Sequence, residues 1–263
     1  MRARQRFGQH FLDPSWVDRV VEAIQPQATD SFLEIGPGQG ALTMALAGRA
    51  SRVLAVEIDR DLAPELAGRV PPNVRVVEAD FLALPAESVF EGGSTVRVAG
   101  NLPYNISTPL LFRLIELAAG GARISDATVM LQREVADRLA ARPGTGDWGV
   151  LSACQQLRGS VRLLLALPPG AFHPAPRVHS AVVRITYHRP DPPVVDLDLF
   201  DRLVRSVFLM RRKMLSNALG NFARSRGRDP VEALEAAEID GRRRAETLAL
   251  SELGRLADVF ASA

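Results

Sequence analysis

Two short stretches hold residue types suited to chemistry on a polar, conjugated group. The first is Gly100-Asn101-Leu102-Pro103-Tyr104-Asn105-Ile106-Ser107, which follows the apolar run that begins at Val96. An amine attached to an aromatic ring, such as N6 of adenine, is a poor nucleophile because its lone pair is delocalised into the ring. Two acceptors that bind its two hydrogens favour a pyramidal nitrogen with the lone pair directed outward. The side-chain oxygen of Asn101 and the backbone carbonyl of Leu102 have the right chemistry for this. Pro103 stiffens the loop, and Tyr104 offers a ring for stacking. Such a site works by positioning an in-line displacement rather than by a strong base. A base would have to leave its stack to enter it. The same tetrapeptide also suits a rigid proline turn with a capping asparagine.

The second stretch is Gly36-Pro37-Gly38-Gln39-Gly40, placed between the apolar run Phe32–Ile35 and the helical run Ala41–Ala47. A glycine turn after a strand lets a ligand approach the backbone, and the helix start that follows favours a polar or anionic group. Glu57 ends the next apolar run, where a carboxylate can accept both hydroxyls of a ribose. Asp80 follows the third run and is placed to meet the edge of an adenine. Nicotinamide enzymes and methyltransferases share this layout. Glu34, one residue pair before the turn, and the Gly36, Gly38, Gly40, Ala41 spacing favour a methyltransferase, with Glu34 near the ammonium of an aminoacyl group. Taken singly, Glu57 and Asp80 also suit solvated strand ends.

These residues need a sheet to gather them. Strands are expected at Phe32–Ile35, Val53–Glu57, Val74–Ala79, Val96–Ala99, Thr128–Leu131, Val161–Leu165 and Ala181–Tyr187, with helical patterns between most of them. This alternation reads as an α/β fold with a parallel sheet covered on both faces. Thr108 with Pro109 reads as a helix cap and first helical residue. The run Arg189-Pro190-Asp191-Pro192-Pro193 reads as a linker. Beyond it, Leu199, Leu203, Val207, then Met214, Leu215, Leu219, then Leu253, Leu256, Ala257, Phe260 recur at helical spacing. The expected organisation is therefore a domain over residues 1–188 and a small helical domain over 189–263.

Composition sets the remaining bounds. The 263 residues are 47% hydrophobic and 24% charged, with a net charge of +2. No apolar run approaches the roughly 18 residues that span a bilayer, and no apolar segment follows the basic N-terminus, so a cytoplasmic protein is expected. The single cysteine, Cys154, excludes an internal disulfide, and no histidine pair stands at a metal spacing, so no metal is expected. Arginines cluster at Arg2/Arg4/Arg6, Arg211-Arg212-Lys213, Arg224/Arg226/Arg228 and Arg242-Arg243-Arg244. On one face they would track a phosphate backbone; singly they suit solvated helix faces.

The motifs in order resemble those of the ribosomal RNA adenine dimethyltransferases, and within them the bacterial small-subunit branch. They are Arg6-Phe7-Gly8-Gln9-His10-Phe11-Leu12, Glu34–Gly40, Glu57, Asp80, Asn101–Ser107, Leu131-Gln132-Arg133-Glu134-Val135, Phe172-His173-Pro174-Ala175-Pro176-Arg177-Val178, Ser180–Arg184, and Phe208 through Arg211-Arg212-Lys213 to Leu219. The resemblance covers nearly the whole chain. It implies a class I, Rossmann-like S-adenosylmethionine-dependent methyltransferase domain and a helical C-terminal domain. It implies N6,N6-dimethylation of two adjacent adenosines in the 3′-terminal hairpin of small-subunit rRNA, within an assembling 30S particle. His10, Leu12, Gly36, Gly38, Glu57, Asp80 and Asn101 are then cofactor contacts. Asn101, Leu102, Pro103 and Tyr104 form the catalytic loop, with Phe172 as a second ring over the flipped adenine. Arg211, Arg212 and Lys213 face RNA. The competing readings are a large-subunit adenine methyltransferase of the antibiotic-resistance branch and a mainly non-catalytic assembly factor. Leu102 with Asn105-Ile106-Ser107 favours the small-subunit branch, and nothing in the sequence requires more than a monomer.

Overall fold

The computed structural model describes residues 10–85, 95–120 and 123–261. Arg2, Arg4, Arg6 and the first part of the Arg6–Leu12 motif lie outside them. The chain divides into two compact units, residues 1–136 with 161–187 and residues 137–160 with 188–263.

The first unit contains β1 (Phe11–Leu12), α1 (Pro14–Ile24), β2 (Ser31–Ile35), α2 (Ala41–Ala47), β3 (Arg52–Glu57), α3 (Leu62–Ala67), β4 (Val74–Glu78), β5 (Val96–Asn101), α4 (Ser107–Ala119) and β6 (Ile124–Gln132). It ends with β7 (Gly159–Leu167), β8 (Phe172–His173) and β9 (Ser180–Tyr187). The large sheet has the order β4-β3-β2-β5-β6-β9-β7. The five strands from β4 to β6 are parallel, so Ile35, Glu57, Glu78 and Asn101 all end at one edge. Open α/β sheets place their ligands at that edge.

The expectation of a wholly parallel sheet is corrected at β9, which runs antiparallel to β6 with Met130 opposite Val182. Hydrophobic periodicity marks a strand but reads the same in either direction, so it does not carry strand sense. The cap expectation is corrected too. The helix after the Asn101–Ile106 loop begins at Ser107, its N-cap is Ile106, and no side chain caps it. Thr108 and Pro109 lie inside the first turn. Proline fits there because the first N–H groups of a helix have no intrahelical partner.

Helix α1 closes the first unit. Asp13 accepts the Ser15 N–H at 2.9 Å, Pro14 opens the helix, and Val17, Val20, Val21 and Ile24 form its buried stripe. These side chains pack with Phe32, Leu46, Val53, Met130 and Val182 in one core. The helix ends at Gln25 in a left-handed conformation, and two arginines take its last carbonyls. Arg97 donates to Ile24 O at 2.7 Å and Gln25 O at 3.0 Å. Arg184 donates to Ala23 O at 2.6 Å and Ile24 O at 2.8 Å. Cations suit a helix C-terminus. Asp126 and Asp30 neutralise Arg97 through contacts of 2.8 and 2.7 Å.

The second unit contains α6 (Val150–Gln156), α7 (Leu197–Leu209), α8 (Leu215–Ala218), α9 (Gly220–Arg224), α10 (Pro230–Ala236) and α11 (Leu250–Ala261), after α5 (Arg133–Leu139) at the junction of the two units. It differs from a boundary at 188/189 because residues 137–160 group with the C-terminal helices. The reason is visible at Arg158, which is only 3% exposed. It donates to both carboxylate oxygens of Asp201 on α7 at 3.0 Å and to Cys154 O at 3.0 Å. The proline-rich segment expected as a linker is tied down as well. Leu157 O accepts the Asp191 N–H at 2.9 Å. A Cβ on Gly254 would lie 3.2 Å from Pro192, so α11 packs against that proline. No helix among the described residues is long and apolar enough to cross a membrane.

Candidate active site

The glycine turn and Glu57 form one hydrogen-bonded piece. Gly36, Gly38 and Gly40 all have positive φ, at 67°, 55° and 85°. At Gly40 a side chain is excluded twice, by this conformation and by the Leu66 side chain where a Cβ would sit. The Gly36 N–H donates to Val56 O at 2.9 Å, which joins the turn to β3. Glu57 ends β3 and is 4% exposed. One carboxylate oxygen accepts the Gly38 N–H at 2.9 Å and the other accepts the Asp59 N–H at 2.9 Å. Burial pushes its pKa upward against these two donors. A carboxylate has about four acceptor sites, so both oxygens can still accept a ligand hydroxyl.

Glu34 lies under the same turn and is 1% exposed. Its Oε2 has no hydrogen-bond partner among the described residues. Burial raises its pKa to about 7, the Thr43 hydroxyl opposing and the Glu57 carboxylate reinforcing the shift. A buried carboxylate oxygen beside an open cleft is a place for a cationic or donor group from a ligand. Asp80 is exposed at the end of β4, with its Oδ1 accepting the Leu82 N–H at 2.9 Å. The cleft is lined by Glu34, Gly36, Gly38, Glu57, Asp80 and the segment Asn101–Tyr104, and also by Ile58 and Phe81.

The loop after β5 also lines the cleft. Gly100 faces Ile35 on β2 so closely that a Cβ would lie 2.5 Å from the Ile35 carbonyl. The Leu102 N–H donates to Met130 O at 3.2 Å, and the Leu102 side chain is fully buried. Asn101 Nδ2 donates to the His10 carbonyl at 2.6 Å. A carbonyl only accepts, so the amide nitrogen must face it and Oδ1 is left for another donor. The Tyr104 hydroxyl lies 2.5 Å from Ser180 Oγ, and burial raises the phenol pKa.

The sequence-derived residues do not all meet. His10, Leu12, Gly36, Gly38, Glu57, Asp80, Asn101, Leu102, Pro103 and Tyr104 line one cleft. Phe172 does not line it. It is 3% exposed, sits in the core with Val17, Val20 and Leu12, and its backbone pairs with Leu12. An aromatic residue beside prolines looks available in sequence, whereas the β1–β8 pairing turns it inward. In the second unit, Arg212 and Lys213 are exposed, but Arg211 donates to Glu246 at 2.9 Å and to Gly146 O at 2.8 Å. Ile58 and Phe81 were not foreseen. Their signal is that each directly follows an acidic residue at a strand end, Glu57 or Asp80. Among the described residues no cluster of His, Cys, Asp or Glu is arranged to hold a metal ion.

Comparison with known proteins gives consistent matches. The model of the ribosomal RNA adenine dimethylase family matches residues 1–258. The ribosomal RNA small subunit methyltransferase A of Pseudomonas aeruginosa is 45% identical over 264 residues, covering 99% of this chain and 95% of that protein. Its namesake in Leptothrix cholodnii is 47% identical over 225 residues, covering 85% and 81%. Among solved structures, a dimethyladenosine transferase from Plasmodium falciparum superimposes with a TM-score of 0.77 at 25% identity, over 94% of this chain and 96% of that one. The 23S rRNA methyltransferase ErmE superimposes with a TM-score of 0.68 at 26% identity, over 95% and 99%.

Proposed function

This chain belongs to the ribosomal RNA adenine dimethylase family, and from that premise we propose that it uses S-adenosylmethionine to dimethylate N6 of two adjacent adenosines in the 3′-terminal hairpin of small-subunit rRNA, within an assembling 30S particle. The full-length similarity to small-subunit enzymes favours that substrate over large-subunit rRNA. The reading also makes it a cytoplasmic protein.

The observation that carries the chemistry is the fixed amide of Asn101. Its nitrogen is held by the His10 carbonyl, which leaves its oxygen to accept one hydrogen of the target amine. The Leu102 carbonyl accepts the other. Together they hold the nitrogen lone pair away from the ring and toward the methyl donor. Bound S-adenosylmethionine supplies an electrophilic methyl group on a positively charged sulfur. This chain's residues fit that ligand. The unpartnered Glu34 oxygen suits the ammonium, the Gly36–Gly38 backbone suits the amino-acid portion, and Glu57 suits the ribose. Asp80 suits the adenine edge, and Ile58 and Phe81 offer apolar faces to its ring. Tyr104 offers the stacking face for the target base, and Arg212 and Lys213 offer positive charge to an RNA backbone.

The test is methyl transfer from labelled S-adenosylmethionine to unmethylated small ribosomal subunits, with large subunits in parallel. Dimethyladenosine mapped to the small-subunit rRNA, and lost in a folded Asn101→Ala variant, is expected. Label confined to the large subunit would overturn the substrate assignment. Absence of label with tight small-subunit binding would make the protein a binding factor.

A further inference from the structure

The arginine cluster Arg224, Arg226 and Arg228 has no part in the function as proposed. It ends α9 and forms the turn into α10. Gly227 allows that turn with a φ of 66°. The Gly227 N–H donates to Arg224 O at 3.1 Å and the Arg228 N–H to Ala223 O at 3.0 Å, so the turn is folded back on the helix. Arg224 and Arg226 are exposed and Arg228 partly so. Other arginines of this unit carry their own counter-ions: Arg211 has Glu246, Arg242 has Asp240 and Arg243 has Glu252. Arg224, Arg226 and Arg228 have no ion pair among the described residues. Asp229, next in the chain, caps α10 instead, its Oδ1 accepting the Val231 and Glu232 N–H groups at 2.8 and 3.1 Å.

Two of the three side chains are held in place by uncharged neighbours. Arg224 donates to Asn221 Oδ1 at 2.8 Å. The Arg226 guanidinium lies over the Phe222 ring, 5.8 Å from its centroid. Phe222 is itself set edge-on against the buried Phe260 of α11, with centroids 5.2 Å apart and planes at 88°. A guanidinium supported on a ring keeps its N–H donors at its rim, where a phosphate takes two of them at once. Three like charges within five residues repel one another until an anion lies among them. We propose that the Arg224–Arg228 turn is a second RNA-binding element of this unit, holding the phosphate backbone of small-subunit rRNA in addition to the contact at Arg212 and Lys213. The proposal rests on the functional reading above and adds three residues to it. Contacts to phosphate position a protein without reading sequence, so the turn strengthens docking on the particle and leaves the methyl-transfer step alone.

The experiment compares the wild-type chain with the triple variants Arg224→Gln/Arg226→Gln/Arg228→Gln and Arg224→Lys/Arg226→Lys/Arg228→Lys. Binding to unmethylated small subunits is measured at several salt concentrations, and hydroxyl-radical footprints are taken on the bound rRNA. The glutamine variant is expected to show a slope of log affinity against log salt shallower by up to about 3, at roughly 0.7–0.9 for each lost phosphate contact. It should lose one stretch of backbone protection, different from the stretch lost in Arg212→Gln/Lys213→Gln. Its kcat at saturating subunit should stay near wild type. The lysine variant keeps the charge and should keep most of the slope. The single variant Arg226→Gln, with an expected loss of about 0.7–0.9, gives the same reading if the triple variant melts early. An unchanged slope in folded glutamine variants would overturn the proposal and leave the turn a structural element. Weaker binding with the whole rRNA footprint retained would also overturn it, by assigning the turn to a ribosomal protein. A wild-type chain that binds large subunits and not small ones would instead sink the functional reading, and the same slope comparison on large subunits would still decide whether the turn holds RNA.

Discussion

The Glu57 carboxylate accepts the Gly38 N–H at 2.9 Å, so the residue that ends one strand fixes the turn that follows its neighbour. The same side chain braces the glycine turn and, in the proposed reading, also binds the ribose of the cofactor. Replacing it with glutamine keeps one acceptor oxygen but gives the other N–H group an NH2 to face. Hydrogen bonds to charged groups contribute about 1.5–3 kcal/mol. Glu57→Gln is therefore expected to weaken S-adenosylmethionine binding roughly 10- to 100-fold, and to lower stability without cofactor as well. Calorimetric titration and a thermal melt check the two effects. Weaker binding with an unchanged melt would show that the brace contributes nothing.

Glu34 predicts a pH dependence of opposite sign to the usual carboxylate. Its folded pKa is about 7, above the ordinary value of 4.5, and burial is the main cause. The folded state therefore holds a proton that the unfolded state has released between those two values. The stability contribution is fully present below about 4.5 and is lost as pH rises through 7. One pKa unit corresponds to about 1.4 kcal/mol, so the change is on the order of 3 kcal/mol across that window. A Glu34→Gln variant has no such proton to lose. Without cofactor it should gain stability relative to wild type between pH 5 and pH 8. Parallel denaturation midpoints across that range would show that Glu34 stays ionised in the folded protein.

Gly100 places Asn101 by letting β5 lie close to β2. A Cβ there would meet the Ile35 carbonyl at 2.5 Å, and backbone cannot swing aside as a side-chain tip can. Overpacking of this kind typically costs about 1–3 kcal/mol. Gly100→Ala should lower the melting temperature. It should reduce kcat more than it weakens cofactor binding, because the shift falls directly under the catalytic loop. Steady-state kinetics at a temperature where the variant is folded would show this, and unchanged kcat would mean that the loop is positioned independently of its strand.

The candidate residues that announce themselves in sequence share a property: each stands at or just beyond a strand end. Glu57, Asp80, Asn101 and the Gly36–Gly40 turn follow apolar runs whose period is readable, and the strands lie where those runs predict. What was not legible depends on pairing between distant segments. β1 and β8 have two residues each, too short for any periodicity, yet their pairing buries Phe172. The direction of β9 and the attachment of residues 137–160 to the C-terminal helices likewise depend on partners that hydrophobic pattern does not name. Helix α1 was legible: Asp13-Pro14 and the spacing of Val17, Val20, Val21 and Ile24 are a start signal and a stripe, although it was absent from the expected elements. Arg97 and Arg184 look like ordinary strand-surface charges until α1 ends on them.

That arginine pair makes a stability prediction separable from the active site. Asp126 is 7% exposed and stands 2.8 Å from Arg97 and 3.5 Å from Arg184. Removing it leaves two guanidinium groups side by side with only Asp30, among the described residues, to balance them. Breaking a buried ion pair from one side costs about 3–5 kcal/mol. Asp126→Ala should therefore be strongly destabilised. At low temperature its cofactor affinity should stay near wild type, because these groups are absent from the cleft lining. Chemical denaturation and calorimetry together test this, and a loss of cofactor affinity in folded protein would link the two ends of the sheet.

Arg211, Arg212 and Lys213 are adjacent in sequence but not equivalent in the structure. Arg211 is engaged by Glu246 and by the Gly146 carbonyl, which ties two segments of the second unit together. Arg212 and Lys213 are exposed with no ion pair among the described residues. Each phosphate contact contributes roughly 0.7–0.9 to the slope of log affinity against log salt. The double variant Arg212→Gln/Lys213→Gln should bind small subunits more weakly, with a slope shallower by up to about 2, and should melt like wild type. Arg211→Gln should lower the melting temperature while leaving most of the slope intact. Binding measured at several salt concentrations separates them. If Arg211→Gln instead flattened the slope as much as the double variant, the Glu246 pair would have to open on RNA, and the three cations would act as one patch.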